Sequence, residues 1–399
     1  MSGMNANKRM RRVGGWAAIC LAMAATAGAG DFTWKTNNGE VVLAKYAGAG
    51  GEVDIPGQQE GLPVAAIGYG AFEDCVGLTR VAIPDSVVRI EAQAFAYCGG
   101  LTNISIGRGV ASIGEWAFRG CGKLANIEVD ALNPAFGGAD GALVDKRSST
   151  LFLCPAQKPG SFAIPAGIVA VGNEAFAHCA GLTNVVLPEG LVRIGDWAFD
   201  SSGLTGIQIP ASVTHIGEGA FSACAGLARV EGGAGLVQIG RRAFERSGLT
   251  TFAMSNGVTR LGPWAFYGCA HLSRIRLSDA IARIEERTFF DCTALRSIAL
   301  PAGVVYVGDW AFGECPGLTA IYYAGNAPET GEETFAASPN VVQYYLAEKS
   351  GWGSAFAGRP ALPGQAPAET NDLPARRTAV YQEAPAPRSG ATMAEKAGF

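Results

Sequence analysis

The sequence predicts a solenoid: a stack of 22–23-residue coils, each made of one short parallel β-strand and one tight helical turn. Three observations carry this. The dipeptide Ala-Phe recurs at Phe72, Phe95, Phe118, Phe176, Phe199, Phe221, Phe244, Phe266 and Phe312, with Thr-Phe at Phe289, and a fixed period repeated this often marks stacked units. Within a unit, Leu78-x-x-Val81-x-Ile83 ends in the alternation of a strand with one buried face. Finally, 55 glycines in 399 residues, without a collagen-like period, call for many turns.

The elements follow in chain order. Residues 1–29 read as an export signal: Lys8, Arg9, Arg11 and Arg12 precede an apolar run from Val13 that ends in small residues. The competing reading is a membrane anchor, but the run is short and rich in Gly and Ala for a spanning helix. Removing it leaves 27 basic against 35 acidic side chains, a net charge of −8. That balance, with no Lys/Arg run, argues against nucleic acid or anionic membrane as partners.

Residues 30–66 form an N-terminal cap, with Asn37-Asn38-Gly39-Glu40 between apolar segments as a hairpin signal. The solenoid covers 67–325. In each unit, Pro84 or its equivalent ends the strand, Val87 and Ile90 point inward, Gly68 permits a corner, and Ala71-Phe72-x-x-Cys75 makes the tight turn. One coil cannot bury its apolar side alone, whereas stacked coils can. Between Phe118 and Phe176 the interval is 58 residues, which places an insertion at 130–163. There, Ala142–Asp145 and Leu151–Cys154 flank a polar turn and predict a hairpin. Asp140 and Asp145 faintly suggest a calcium loop, but turn chemistry explains them more simply because no ladder of ligands is present. Residues 326–362 are expected to close the far end, and 363–399, rich in Ala and Pro, to form a flexible tail.

The coil IGEWAFRGCGKLANIEV and the corner prolines at Pro84, Pro188, Pro210 and Pro301 resemble the BspA-like class of leucine-rich repeats. The N-terminal hairpin, the DGALVD…LFLCP insertion and the closing YYAGNAPETGEETF segment are similar to that family as well, so the resemblance spans residues 32 to about 362. It implies a secreted or cell-surface bacterial protein that binds proteins or glycans, often in adhesion. It implies no catalytic residue, since the family shares none. Ser202 and Ser247 in place of Cys, and Gly107, Gly233, Ser255 and Ser278 in place of the corner Pro, are departures that bear on local coil shape.

Cysteine is the first candidate for chemistry. Cys75, Cys98, Cys121, Cys179, Cys224, Cys269, Cys292 and Cys315 occupy one repeat position. Identical stacked side chains point the same way, which suits a disulfide torsion poorly, so a ladder of buried thiols is expected instead. Zinc spacing is absent, and nothing calls for a cofactor. His178, His215 and His271 fall at different repeat positions. A carboxylate column at Glu115, Asp196, Glu218, Glu286 and Asp309 could supply an acid–base pair, but its place where each turn begins suits backbone capping better.

Binding is expected on surface columns. One flanks the inward strand positions: Asn103/Ser105, Asn126/Glu128, Asn184/Val186, Arg229/Glu231, Arg274/Arg276 and Ala320/Tyr322. Another places Trp116, Trp197, Trp264 and Trp310 two residues before Phe, with Arg242 and Arg287 in the same column, so that Arg242–Trp264–Arg287–Trp310 can form a cation–π ladder. This stripe could bind a sugar or a partner protein; the simpler reading is that Trp covers the junction between coils. The function that results is a non-catalytic binding scaffold. The rivals are a spacer whose tail makes the useful contact and a hydrolase with its site in the insertion.

Overall fold

The computed structural model describes residues 29–37 and 39–367. The proposed export signal falls almost wholly outside these residues, as does most of the expected tail. The chain winds as a parallel β-solenoid with two ladders running along the stack. One ladder is built from strands such as Leu78–Ile83, Asn103–Ile106 and Ser297–Leu300. The other is built from two-residue strands such as Arg89–Ile90, Arg193–Ile194 and His215–Ile216. Register is kept from coil to coil: Val81 pairs with Ile104 and Ile104 with Ile127, while Ile194 pairs with Ile216 and Ile216 with Ile239.

Among the described residues the first ladder has thirteen strands, from Gly51–Asp54 to Val342–Tyr345. At about 4.8 Å per coil the stack is about 60 Å long. The Phe32–Asn37 and Glu40–Tyr46 strands form an antiparallel hairpin at one end. Ala355–Phe356 and Arg359–Pro363 form another at the opposite end. These hairpins lie where an open stack would otherwise expose its last paired strands.

The core is a column of rings. Phe176, Phe199, Phe221, Phe244, Phe266, Phe289, Phe312 and Phe335 stack successively with centroids 4.8–6.0 Å apart. Phe72, Phe95 and Phe118 form a shorter column of the same kind. Nine of these rings are fully buried, and the two at column ends, Phe335 and Phe118, are 3% and 6% exposed. Two apolar clusters result, which divide within the 130–163 segment: Phe136 and Leu143 belong to the N-terminal one, Leu151, Cys154 and Phe162 to the C-terminal one.

The corner differs from a simple helical turn in one respect. Its bonds do span three residues, as in Ala71 N–H to Gly68, Glu73 N–H to Gly70 and Cys75 N–H to Phe72. But the residues two before and two after Phe have positive φ in coil after coil, including Trp116 (58°), Trp197 (56°), Arg242 (54°), Trp264 (64°), Arg287 (50°) and Trp310 (56°). The result is a run of overlapping β-turns, not helix. Such a conformation costs roughly 1–2 kcal/mol per non-glycine residue. The offset is a row of inter-coil hydrogen bonds, with Trp197, Trp264 and Arg287 donating to Glu218, Glu286 and Asp309 carbonyls at 2.7–3.0 Å. The glycine that opens each corner answers to space: a Cβ on Gly240 would stand 2.6 Å from the backbone carbon of Gly217.

This geometry predicts a stabilising substitution. Ala223 is exposed, sits at φ 51° and donates its N–H to Glu245. Ala223→Gly keeps that bond and removes the Cβ clash, so stability should rise by roughly 1 kcal/mol, read as a higher urea midpoint.

Candidate binding site

Two features of the corner side bear on function: the thiol ladder and the Trp/Arg column. The described cysteines are all free. Six of the eight ladder thiols are anchored by the preceding coil: Cys98, Cys121, Cys224, Cys269, Cys292 and Cys315 donate to the Phe72, Phe95, Phe199, Phe244, Phe266 and Phe289 carbonyls at 2.9–3.2 Å. Ser338 does the same to Phe312 at 2.7 Å. The position therefore selects a small donor, a requirement that apolar packing alone did not reveal. Ser202 and Ser247 lie 3.4 Å from the Cys224 and Cys269 sulfurs.

The cation–π ladder is formed. Arg242 and Arg287 lie on the two faces of Trp264, 5.2 and 4.6 Å from its centroid, and Arg287 also approaches Trp310 at 5.9 Å. Trp197, Trp264 and Trp310 are only half-exposed, which fits cover between coils. On the strand face, Arg274 and Arg276 are exposed and Tyr322 stacks on Tyr344 at 5.1 Å. Ala320 departs from the expected outer column: it is 8% exposed, because Thr319–Ile321 is flanked by the next strand, where Val342 pairs with it.

In the carboxylate column the two Asp residues cap backbone, while Glu218 and Glu286 lie in ion-pair range of Arg241 and Arg287. Asp196 accepts the Glu218 N–H at 2.9 Å and Asp309 that of Glu332 at 2.8 Å. In the insertion, Asp145 accepts the Arg147 N–H and Asp140 meets Lys158 Nζ at 2.6 Å, which is turn and ion-pair chemistry. Among the described residues no group of three or more His, Cys, Asp or Glu is placed to hold a metal, and no helix is long and apolar enough to cross a membrane.

The main irregularity lies at the 130–163 segment. The expected hairpin is present, Ala142–Asp145 pairing antiparallel with Thr150–Leu153, and Phe136–Ala139 adds a third antiparallel strand beside Ala142–Asp145. The segment is also a coil in register: Leu151 pairs with Val171, and Phe162 with Val185. Its corner, however, is two residues short. Phe176 follows Val171 by five positions, but Cys154, whose N–H donates to Ala175 as a Phe N–H does elsewhere, follows Leu151 by three. A small thiol fills the ring position and the corner is drawn inward.

A cleft of about 1190 Å³ opens above the recessed corner. One wall is the Phe118 corner and the other the Phe176 and Phe199 corners. Trp116 is 45% exposed because no neighbouring corner covers it. The Arg119 guanidinium lies 5.6 Å from the Trp116 ring and reaches across to Glu174 at 4.0 Å. Burial pushes the Glu174 carboxyl above its usual range, opposed by Arg119, His178 and the Trp116 indole. None of this was legible from the column alone. A two-residue deficit between Leu151 and Cys154 was the available signal.

A folded-state pKa above the unfolded one means that ionised Glu174 weakens the fold above that pKa. The penalty fades as pH falls below the ordinary carboxylate value. Glu174→Gln should therefore be more stable than wild type at pH 7 and equal to it near pH 4, as compared by denaturant midpoints.

The comparisons agree with this architecture. Residues 63–135, 152–273 and 263–350 match the family model described as BspA type leucine-rich repeat region, in six copies. A leucine-rich cell surface protein from Faecalibacterium prausnitzii is 25% identical, with 82% of this chain and 95% of that chain covered and a TM-score of 0.50. A leucine-rich repeat protein from Eubacterium ventriosum is 19% identical, covering 81% and 95% with a TM-score of 0.49. No curated protein matches the chain significantly. The period, the register and the family match together place this chain in the BspA type leucine-rich repeat family.

Proposed function

We propose that the protein is an exported scaffold displayed at the cell surface, which binds a protein or glycan in adhesion-type contact and performs no catalysis. The observation that carries this reading is the cleft at Trp116. It is a preformed concavity with an exposed aromatic platform, set in an otherwise regular stack. The basic n-region, apolar run and small-residue end of residues 1–29 support export. The cell-surface description of the Faecalibacterium protein points the same way. The engaged carboxylates and anchored thiols favour binding over acid–base or nucleophilic chemistry.

The test is to probe extracellular-protein and glycan arrays with the full chain, its Trp116→Ala variant and a variant lacking residues 363–399. Binding that falls with Trp116→Ala and survives loss of the tail supports the reading. Binding that needs the tail and ignores Trp116 assigns the protein to the spacer class.

A further inference from the structure

We infer that the cleft takes an extended polypeptide segment with a basic side chain, paired through its backbone to the open corner of the Phe118 coil; this rests on the binding reading above. The argument begins with the inter-coil hydrogen bonds. In the Phe95 coil, the Gln93, Phe95 and Tyr97 N–H groups donate to the Glu115, Ala117 and Arg119 carbonyls at 3.1, 2.8 and 2.6 Å. The Phe176 coil repeats the pattern, with Glu174, Phe176 and His178 donating to Asp196, Ala198 and Asp200. In the Phe118 coil the equivalent donors, the N–H groups of Trp116, Phe118 and Gly120, have no backbone acceptor among the described residues. Across the cleft, among the described residues, the Asn173 and Ala177 carbonyls receive no backbone N–H, and only Ala175 between them is met, by Cys154.

The recessed corner thus leaves a vacant place in a hydrogen-bond ladder, with donors on one wall and acceptors on the other. Donors on alternate residues require acceptors repeating at the same interval, which a polypeptide backbone supplies. This is the logic by which a peptide adds to an exposed strand edge. Charge selects the side chains. Six carboxylates and two guanidinium groups line the cleft, a net of −4 with His178 neutral. An acidic cleft disfavours sulfated, sialylated or other anionic glycans and attracts lysine or arginine. Glu174 is the receiving group: it is half-buried, and its existing partner Arg119 stands at 4.0 Å, the outer limit of an ion pair. An incoming cation would displace Arg119 and lie beside the Trp116 ring, where cation–π attraction adds to the ion pair.

The experiment uses the full chain and pools of capped octapeptides, each pool fixing one residue and randomising the rest. Binding is followed by fluorescence anisotropy, and amide exchange is read at residues 116–120. Pools fixed as Lys or Arg should bind about tenfold or more above pools fixed as Asp or Glu, the scale of one charge interaction. Bound peptide should slow exchange at Trp116, Phe118 and Gly120. Backbone N-methylation of the selected peptide, Trp116→Ala and Glu174→Gln should each weaken binding by about tenfold. Failure of every pool to bind, indifference to N-methylation, or equal binding of acidic and basic pools would overturn the peptide assignment. If cellohexaose or a heparin hexasaccharide instead slows exchange at 116–120, the cleft remains a binding site and only the peptide assignment falls.

Discussion

Phe221→Ala is expected to cost about 3–5 kcal/mol, the range for removing a fully buried ring from a core that cannot collapse around the gap. Phe221 is fully buried and lies between Phe199 and Phe244, with centroids 5.2 and 5.3 Å away. Both neighbours are held by strands in fixed register, so neither can tilt far to fill the space. Phe118→Ala should cost about 1 kcal/mol less. That ring stacks only on Phe95, borders the recessed coil and is already 6% exposed. The damage should also stay local. Phe221 belongs to the C-terminal apolar cluster, while Phe72, Phe95 and Phe118 belong to the other. Coils interact chiefly with their neighbours, so amide exchange should accelerate across residues 170–330 and change little across 40–120. Equal acceleration in both regions would show that the recessed coil transmits cooperativity instead of interrupting it.

The regular part of this architecture was legible because it is written many times over. Ala-Phe marks each ring, Leu-x-x-Ile-x-Ile each strand, and the interval between them the coil. The irregular part carried no such mark. Leu151-Phe152-Leu153-Cys154 lacks Ala-Phe, so it reads as half of a hairpin. It is that, paired with Ala142–Asp145, but that it is also a shortened corner emerges only when Leu151 is set against Val171 and Cys154 against Phe176. The left-handed columns were hidden for a different reason: Trp, Arg and Glu are not turn residues by propensity, and outside the Phe118 coil their positive φ is rewarded by the next coil's carbonyls. Ala320 shows the limit of strand alternation, which assigns a face but not the cover that a neighbouring strand supplies.

The thiol ladder leads to the other large effect, a steep alkaline unfolding. Burial pushes Cys121, Cys269 and Cys315 up to about 12 and Cys224 up to about 11, from an ordinary value of 9.0. It raises Cys98 and Cys292 in the same direction. The sign follows from linkage. Above pH 9 the unfolded chain releases these protons and the folded chain does not, so stability falls as pH rises toward the folded values. Each such group removes about 1.4 kcal/mol per pH unit, so six together remove roughly 8 kcal/mol per unit. Unfolding followed by circular dichroism should therefore be complete within about one to two pH units above 9. At pH 8, iodoacetamide should reach Cys121, Cys269 and Cys315 about a thousandfold more slowly than an unperturbed thiol, because the thiolate fraction falls by that factor for a three-unit shift. Half-buried Cys75 should react first. Cys292→Ser isolates the cause. A hydroxyl can still donate to the Phe266 carbonyl, as Ser338 does to Phe312, but it does not titrate in this range. The variant should change little at pH 7 and shift the alkaline midpoint upward. An unmoved midpoint would transfer the effect to the buried hydroxyl of Tyr323, which burial also raises.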